Sequence, residues 1–209
     1  MEQGAFRAPC FVRSAARKEI RMFEIEVKVP LKDAAETEMQ LIESGFCKSQ
    51  KIREEDHYYD NASSSIKNNG EALRVRHITD LASGESESVI TFKGKKMDTV
   101  SKSRKELETG VSDGQLAEQI FEAIGFSRVS PSVIKVRQEL VWEDMTACVD
   151  RIDGLGGFLE LEIVISDEEE KDSALSKISL VLEKLGYSLS DTIRNSYLAL
   201  LQGTSDECL

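Results

Sequence analysis

Residues 23–29 read Phe-Glu-Ile-Glu-Val-Lys-Val. Glu24, Glu26 and Lys28 occupy every second position, and Phe23, Ile25, Val27 and Val29 fill the alternate ones. A β-strand sends successive side chains to opposite faces, so this stretch is a strand with one ionisable face and one hydrocarbon face. The same alternation recurs at Arg74 and Arg76, at Arg104, Glu106 and Glu108, at Lys135 and Arg137, and at Glu160 and Glu162. A single strand of this kind is ordinary, because antiparallel sheets often keep one face wet and pair charges across it. Repetition with sorting is less ordinary. Strands between 71 and 95 contribute Arg74, Arg76 and Lys93, whereas those between 145 and 165 contribute Asp150, Glu160 and Glu162. A closed barrel with these faces turned inward would hold a polyanion against a basic wall and divalent cations against an acidic one.

The 209 residues suit one domain able to bury a core without disulfides. No apolar run approaches the roughly 20 residues of a membrane helix. Cys10, Cys47, Cys148 and Cys208 lie far apart without C-x-x-C spacing, which implies neither a zinc site nor a disulfide framework and favours a reducing, cytoplasmic setting. A net charge of −11 argues against a nucleic-acid partner. It does not exclude a phosphorylated small molecule, provided the basic residues converge in one cavity. Residues 1–21 are Arg-rich and aperiodic and read as an extension, residues 22–203 as the domain, and residues 204–209 as a tail.

Three helix candidates end in Gly followed by an aromatic residue: Gly45-Phe46, Gly125-Phe126 and Gly186-Tyr187. Glycine past the last helical residue supplies a left-handed cap, and the aromatic can fold back onto the last turn. Asp33 with Glu36 and Ser112 with Gln115 resemble capping boxes. Helices are expected near 33–44, 112–124, 168–185 and 190–201, the third opening on the acidic tract Asp167 to Asp172, where negative charge suits the helix dipole. Strands are expected near 23–30, 50–60, 71–79, 86–95, 101–109, 132–143, 146–152 and 158–166. The fold class is α+β, an eight-stranded antiparallel barrel with helices packed outside. The order strand, helix, Gly-Phe, long strand and two further strands occurs twice, which places Arg74 near Asp150, and Thr91 and Lys93 on Glu160 and Glu162.

Mg²⁺ and Mn²⁺ prefer oxygen ligands completed by water and substrate phosphate. Glu24, Glu26, Asp150, Glu160 and Glu162 offer such ligands, and two ions could bridge a triphosphate. Arg74, Arg76, Lys93, Arg104, Lys135 and Arg137 would grip phosphate oxygens, the arginines through forked contacts. The acids could instead serve as ion-pair partners of these cations. Other chemistries fare poorly. His57 and His77 read as strand surface residues, no G-x-S-x-G is present, and Gly154-Leu155-Gly156-Gly157 lacks the lysine and helix of a P-loop and reads as a hairpin turn.

With these residues in place, the chain resembles the CYTH-domain proteins, or triphosphate tunnel metalloenzymes. The E-x-E-x-K motif matches Glu24, Glu26 and Lys28. Further matches are DHYYD at 56–60, LRVR at 73–76, TFKG at 91–94, SRKELE at 103–108, KVRQ at 135–138 and VDRIDGLGGFLELEI at 149–163. Within the family it is most similar to the class IV adenylyl cyclase branch. The resemblance implies a tunnel that binds a triphosphate with two divalent cations, Mg²⁺ or Mn²⁺. It also implies Asp150, Glu160 and Glu162 at one ion and Glu24, Glu26 and Glu162 around the other. The implied substrate is ATP or another triphosphate small molecule, the implied oligomer a monomer or homodimer.

Two reactions fit such a site. In a cyclase the ribose 3′-hydroxyl of ATP attacks the α-phosphorus, giving cyclic AMP and pyrophosphate. In a triphosphatase water attacks the terminal phosphorus of inorganic triphosphate, thiamine triphosphate or a nucleotide. Lys28 or Lys93, placed inward, is the candidate to assist deprotonation of the nucleophile. A third reading is a non-catalytic polyphosphate binder. The cyclase reading is preferred on the branch resemblance.

Overall fold

The computed structural model describes residues 23–95 and 106–204; the N-terminal extension and Arg104 lie outside the described residues. Eight strands, β1 (Phe23–Leu31), β2 (Cys47–Asn61), β3 (Ala72–Asp80), β4 (Ser86–Lys93), β5 (Glu106–Val111), β6 (Phe126–Trp142), β7 (Met145–Ile152) and β8 (Gly156–Ile165), form one sheet in the order β1-β8-β7-β6-β2-β3-β4-β5. Every pairing is antiparallel. The end strands β1 and β5 are not hydrogen-bonded to each other among the described residues, so the expected barrel is not closed by main-chain bonds.

Helices α1 (Ala34–Glu43), α2 (Ser65–Asn68), α3 (Gly114–Ala123), α4 (Lys171–Lys184) and α5 (Tyr197–Gln202) complete the chain. Asp33 caps α1 by accepting from the Ala35 and Glu36 amides. The cap of α3 is Asp113, which accepts from the Leu116 amide, and not the expected Ser112. The acidic tract opens with a 3-10 turn at Glu168–Glu170 before α4 begins at Lys171. At the end of α1, Gly45 takes φ +104°, and the Phe46 amide returns to the Leu41 carbonyl at 3.1 Å. That left-handed exit turns Phe46 inward against Trp142, with ring centroids 5.7 Å apart.

The strand order is a palindrome of the repeat. β1, β2, β3 and β4 take the places of β5, β6, β7 and β8, reflected about the β2–β6 pairing at the centre. Register sharpens the correspondence: Thr91 pairs with Glu108 as Glu160 pairs with Lys28, and Lys93 pairs with Glu106 as Glu162 pairs with Glu26. Arg76, opposite Asp56, is thereby the counterpart of Asp150, opposite Arg137, one alternation beyond the expected Arg74. β2 and β6 are longer than expected, and β6 runs through Pro131.

The hydrocarbon faces of β1, β7 and β8 pack under α1 and α4. Val29, Leu159, Leu161 and Ile163 meet Leu41, Ile178, Val181 and Leu182, all buried. Each such side chain contributes about 1.5–3 kcal/mol by leaving water. Their burial fixes register, because a one-residue slip would send hydrocarbon to the polar face and glutamates into the core.

Candidate active site

The opposite face carries a chain of polar contacts that touches every strand. Lys28 Nζ on β1 meets Glu160 on β8 at 3.0 Å. Arg137 on β6 reaches both Glu160 and Asp150, gripping the latter with a fork at 2.7 and 2.6 Å. Lys135 lies between Asp150 at 3.5 Å and Glu54 at 2.8 Å. Arg76 binds Glu54 at 2.6 Å and forks onto Asp56 at 2.6 and 2.8 Å. Arg74 contacts Asp56 at 3.3 Å and Thr91 at 3.4 Å, and Thr91 donates to Glu108 on β5 at 2.8 Å.

The expected division into a basic and an acidic wall is therefore not how this face is built. Each arginine of the basic half has an acid from β2 beside it, and Asp150 of the acidic half has cations from β6. The physical reason is desolvation: Asp150, Lys135, Glu54 and Asp56 are almost wholly buried, and a charge in that position needs a partner. Burial alone would raise the Asp56 carboxyl, but the Arg76 guanidinium, followed by Arg74 and Lys135, holds it well below the usual range. Burial likewise works against the Glu160 carboxylate, and Arg137, Lys28 and Lys135 overcome it.

One group of acids behaves oppositely. Glu26 and Glu162 are register partners on β1 and β8, with Glu24 one alternation away. Burial first, then the charge and hydrogen bond of Glu24 and the charge of Glu26, push the Glu162 carboxyl up to about 8. Oxygen donors whose mutual repulsion favours added positive charge fit a hard divalent cation such as Mg²⁺ or Mn²⁺. Asp150 is situated differently. Both its oxygens accept from Arg137, and Oδ2 also takes the Tyr197 hydroxyl at 2.9 Å.

Of the remaining candidates, Lys93 pairs with Glu106 at 3.1 Å at the β4–β5 end. Lys28 is held at the β1–β8 end, its Nζ 3.9 Å from the Tyr197 ring centroid. The structure thus brings together Lys28, Lys135, Arg137, Asp150 and Glu160, joins Arg74 and Arg76 to them through Glu54 and Asp56, and sets Glu24, Glu26 and Glu162 alongside.

Sequence reasoning misses Glu54, Asp56 and Tyr197. Glu54 and Asp56 carry the same alternating signal as the chosen strands, diluted by the neighbouring Glu55 and His57. Tyr197 comes from a helix remote in sequence, and α5 docks its ring against Phe158 at the end of the charged face. Burial, then Glu160 and Asp150, raise its hydroxyl and keep it a neutral donor.

Residues 22–197 match the family model described as the CYTH domain. The chain is 37% identical over 179 residues to a Methanocaldococcus jannaschii protein whose name gives adenylate cyclase as a provisional activity, covering 86% of this chain and 98% of that one. Among solved structures, the PH1819 protein of Pyrococcus horikoshii OT3 is 31% identical with a TM-score of 0.75, covering 87% of this chain and 99% of the other. A Hippeastrum protein, described as having a dominant triphosphatase activity, shares the fold at 18% identity and a TM-score of 0.63, covering 88% of this chain and 97% of its own.

Proposed function

This chain belongs to the CYTH domain family, and from that premise we propose that it is a divalent-metal-dependent enzyme acting on triphosphates, converting ATP to cyclic AMP and pyrophosphate. The observation that carries the reading is the adjacency of two unlike groups on one polar face. Glu24, Glu26 and Glu162 favour added cations, and beside them runs the ladder of Arg137, Lys135, Arg76 and Arg74. A metal-bound polyphosphate complements both.

Glu24, Glu26 and Glu162 are the residues that would hold the divalent ion. When bound, such an ion neutralises charge on the phosphate chain and polarises the attacked phosphorus. The guanidinium groups of Arg74, Arg76 and Arg137 offer paired donors to non-bridging oxygens. Each is already oriented by an acid, Asp56 or Asp150, so little rearrangement is needed when phosphate arrives. Tyr197 and Glu160 fix the Lys28 ammonium at one end of the row.

In the cyclase reaction the 3′-oxygen forms a bond to the α-phosphorus and the bond from that phosphorus to the β-bridging oxygen breaks. Pyrophosphate leaves with that electron pair, and the hydroxyl proton passes to a base, for which the candidates are Lys28 and Lys93, either acting as the neutral amine after giving its ammonium proton to solvent. The name of the Methanocaldococcus relative supports this choice. Hydrolysis is the second reading, supported by the dominant triphosphatase activity described for the Hippeastrum protein, because the same cations serve attack by water on the terminal phosphorus. Purified protein with Mg²⁺ or Mn²⁺, given ATP and inorganic triphosphate separately, decides between them by phosphorus NMR and chromatography. Cyclic AMP with pyrophosphate establishes the cyclase; orthophosphate without cyclic nucleotide replaces it with a triphosphatase; tight binding without turnover reduces the protein to a polyphosphate binder.

A further inference from the structure

The two histidines of the chain, expected to be unrelated surface residues, converge on one glutamate on the opposite side of the sheet from the charged network. His57 lies on β2 between the inward Asp56 and Tyr58, and His77 on β3 next to the inward Arg76, so both face away from that network. Helix α3 covers them. It approaches so closely that a Cβ on Gly114 would stand 2.6 Å from the His77 ring and 2.4 Å from Ser88 Oγ. His57 Nδ1 contacts Glu118 Oε1, His77 Nε2 reaches the same oxygen at 2.9 Å, and the three donor atoms lie within 4.8 Å of one another.

We propose that His57 Nδ1, His77 Nε2 and Glu118 form a binding site for a late divalent metal ion of the Zn²⁺ class, separate from the Mg²⁺ or Mn²⁺ chemistry of the polar face. Two imidazoles and a carboxylate are the donor set of a borderline ion, whereas Mg²⁺ seeks an octahedron of oxygens. The far nitrogen of each ring is oriented. His57 Nε2 faces Glu55 Oε1 at 2.9 Å, and His77 Nδ1 faces Ser88 Oγ at 3.0 Å. With those nitrogens protonated, the lone pairs of His57 Nδ1 and His77 Nε2 point at the common centre, as in carboxylate–histidine–metal arrangements. Glu55 is itself held by Arg53 at 3.1 Å. A tetrahedral ion with bonds of about 2.0–2.1 Å separates its donors by about 3.3 Å, so both contacts to Glu118 open to admit it, that of His77 by a few tenths of an ångström and the closer contact of His57 by more.

The fourth position faces a cleft of about 440 Å³ bordered by Gln115, Glu122 and Arg128, which leaves room for water or an exogenous ligand. Three protein ligands with one open position is the pattern of sites that exchange a ligand. Bound metal would also fasten α3 to β2 and β3, a docking otherwise made by packing such as Phe121 on Tyr59, 5.3 Å between ring centroids.

The test is titration of the whole purified protein with Zn²⁺ by calorimetry in saturating Mg²⁺, which keeps the acidic trio occupied. Co²⁺ serves as a visible probe of low-coordinate histidine ligation. Wild type takes up one Zn²⁺, and Co²⁺ gives the strong visible bands of a four-coordinate site. His77→Gln and Glu118→Gln, at partly exposed positions, each weaken Zn²⁺ by more than the roughly 10–100-fold typical of a lost supporting hydrogen bond, and Ser88→Ala falls in that range. Glu162→Gln leaves the titration unchanged. Absence of a saturable Zn²⁺ site in wild type, or unaltered binding in folded His77→Gln and Glu118→Gln, overturns the proposal. Binding is read without turnover, so this outcome is independent of the activity proposed above.

Discussion

Glu54 and Lys135 face each other in register across the central β2–β6 pairing, and their charged groups meet at 2.8 Å. They are equivalent positions of the two halves. On either side stand Asp56 with Arg76 and Arg137 with Asp150, the same cross-strand ion pair with its signs exchanged. The halves have diverged in charge while keeping a partner for every buried ion, which is what desolvation demands of a polar interior.

Breaking the central pair should therefore be costly. Lys135→Met removes one of two cations from each of the buried acids Glu54 and Asp150, which keep Arg76 and Arg137, and is expected to lower stability by about 1.5–3 kcal/mol. The Glu54→Gln/Lys135→Met double variant should lose less than the sum of its singles. Urea denaturation of the four proteins measures this; additive losses would mean that the two groups do not interact.

Glu162 makes pH a test of the acidic trio. Its carboxyl is raised to about 8 from an ordinary 4.5, so the folded chain holds this proton more tightly than the unfolded one. In metal-free protein that stabilisation is full below about 4.5 and is lost as pH rises towards about 8. A cation competes with the proton, so Mn²⁺ affinity should rise by up to about tenfold per pH unit below that value and then level off. Mn²⁺ titration followed by electron paramagnetic resonance reads the slope. In Glu162→Gln it should flatten; an equal slope there would assign the proton to another group.

How much of this was legible in sequence depends on the range of each signal. Alternation at Glu24-Glu26-Lys28 and at Glu160-Glu162 is local, and the strands and their polar face follow from it. The caps at Gly45 and Asp33 are equally local. Pairing of charges is not local. Arg74 and Arg76 look like a basic wall until β2 places Asp56 and Glu54 beside them, and nothing near Tyr197 says that the first residue of α5 meets Asp150. The same distance hid His57, His77 and Glu118, whose shared centre is made by one cross-strand pairing and one helix docking.

Asp56→Ala should destabilise the ligand-free protein by leaving Arg76 with Glu54 alone. Added inorganic triphosphate should then raise the melting temperature of this variant more than that of wild type, since phosphate oxygens replace the lost carboxylate. A smaller rise in the variant would place the phosphate chain away from Arg76.

The two lysines separate a positioning role from proton transfer. Lys28→Met frees Glu160 from one cation and Tyr197 from its ammonium, and Lys93→Met frees Glu106. At least one should reduce kcat by about 10²–10⁴-fold with a smaller change in KM, the range of general acid–base catalysis. Full turnover in both removes the lysines from proton transfer.

The most direct test of the central claim is the anomalous signal of Mn²⁺ in crystals grown with a non-hydrolysable triphosphate analogue. The account predicts a manganese peak among the carboxylates of Glu24, Glu26 and Glu162, with analogue density reaching Arg137 and Arg76. Manganese elsewhere, or analogue bound outside the polar face with the trio free of metal, contradicts it.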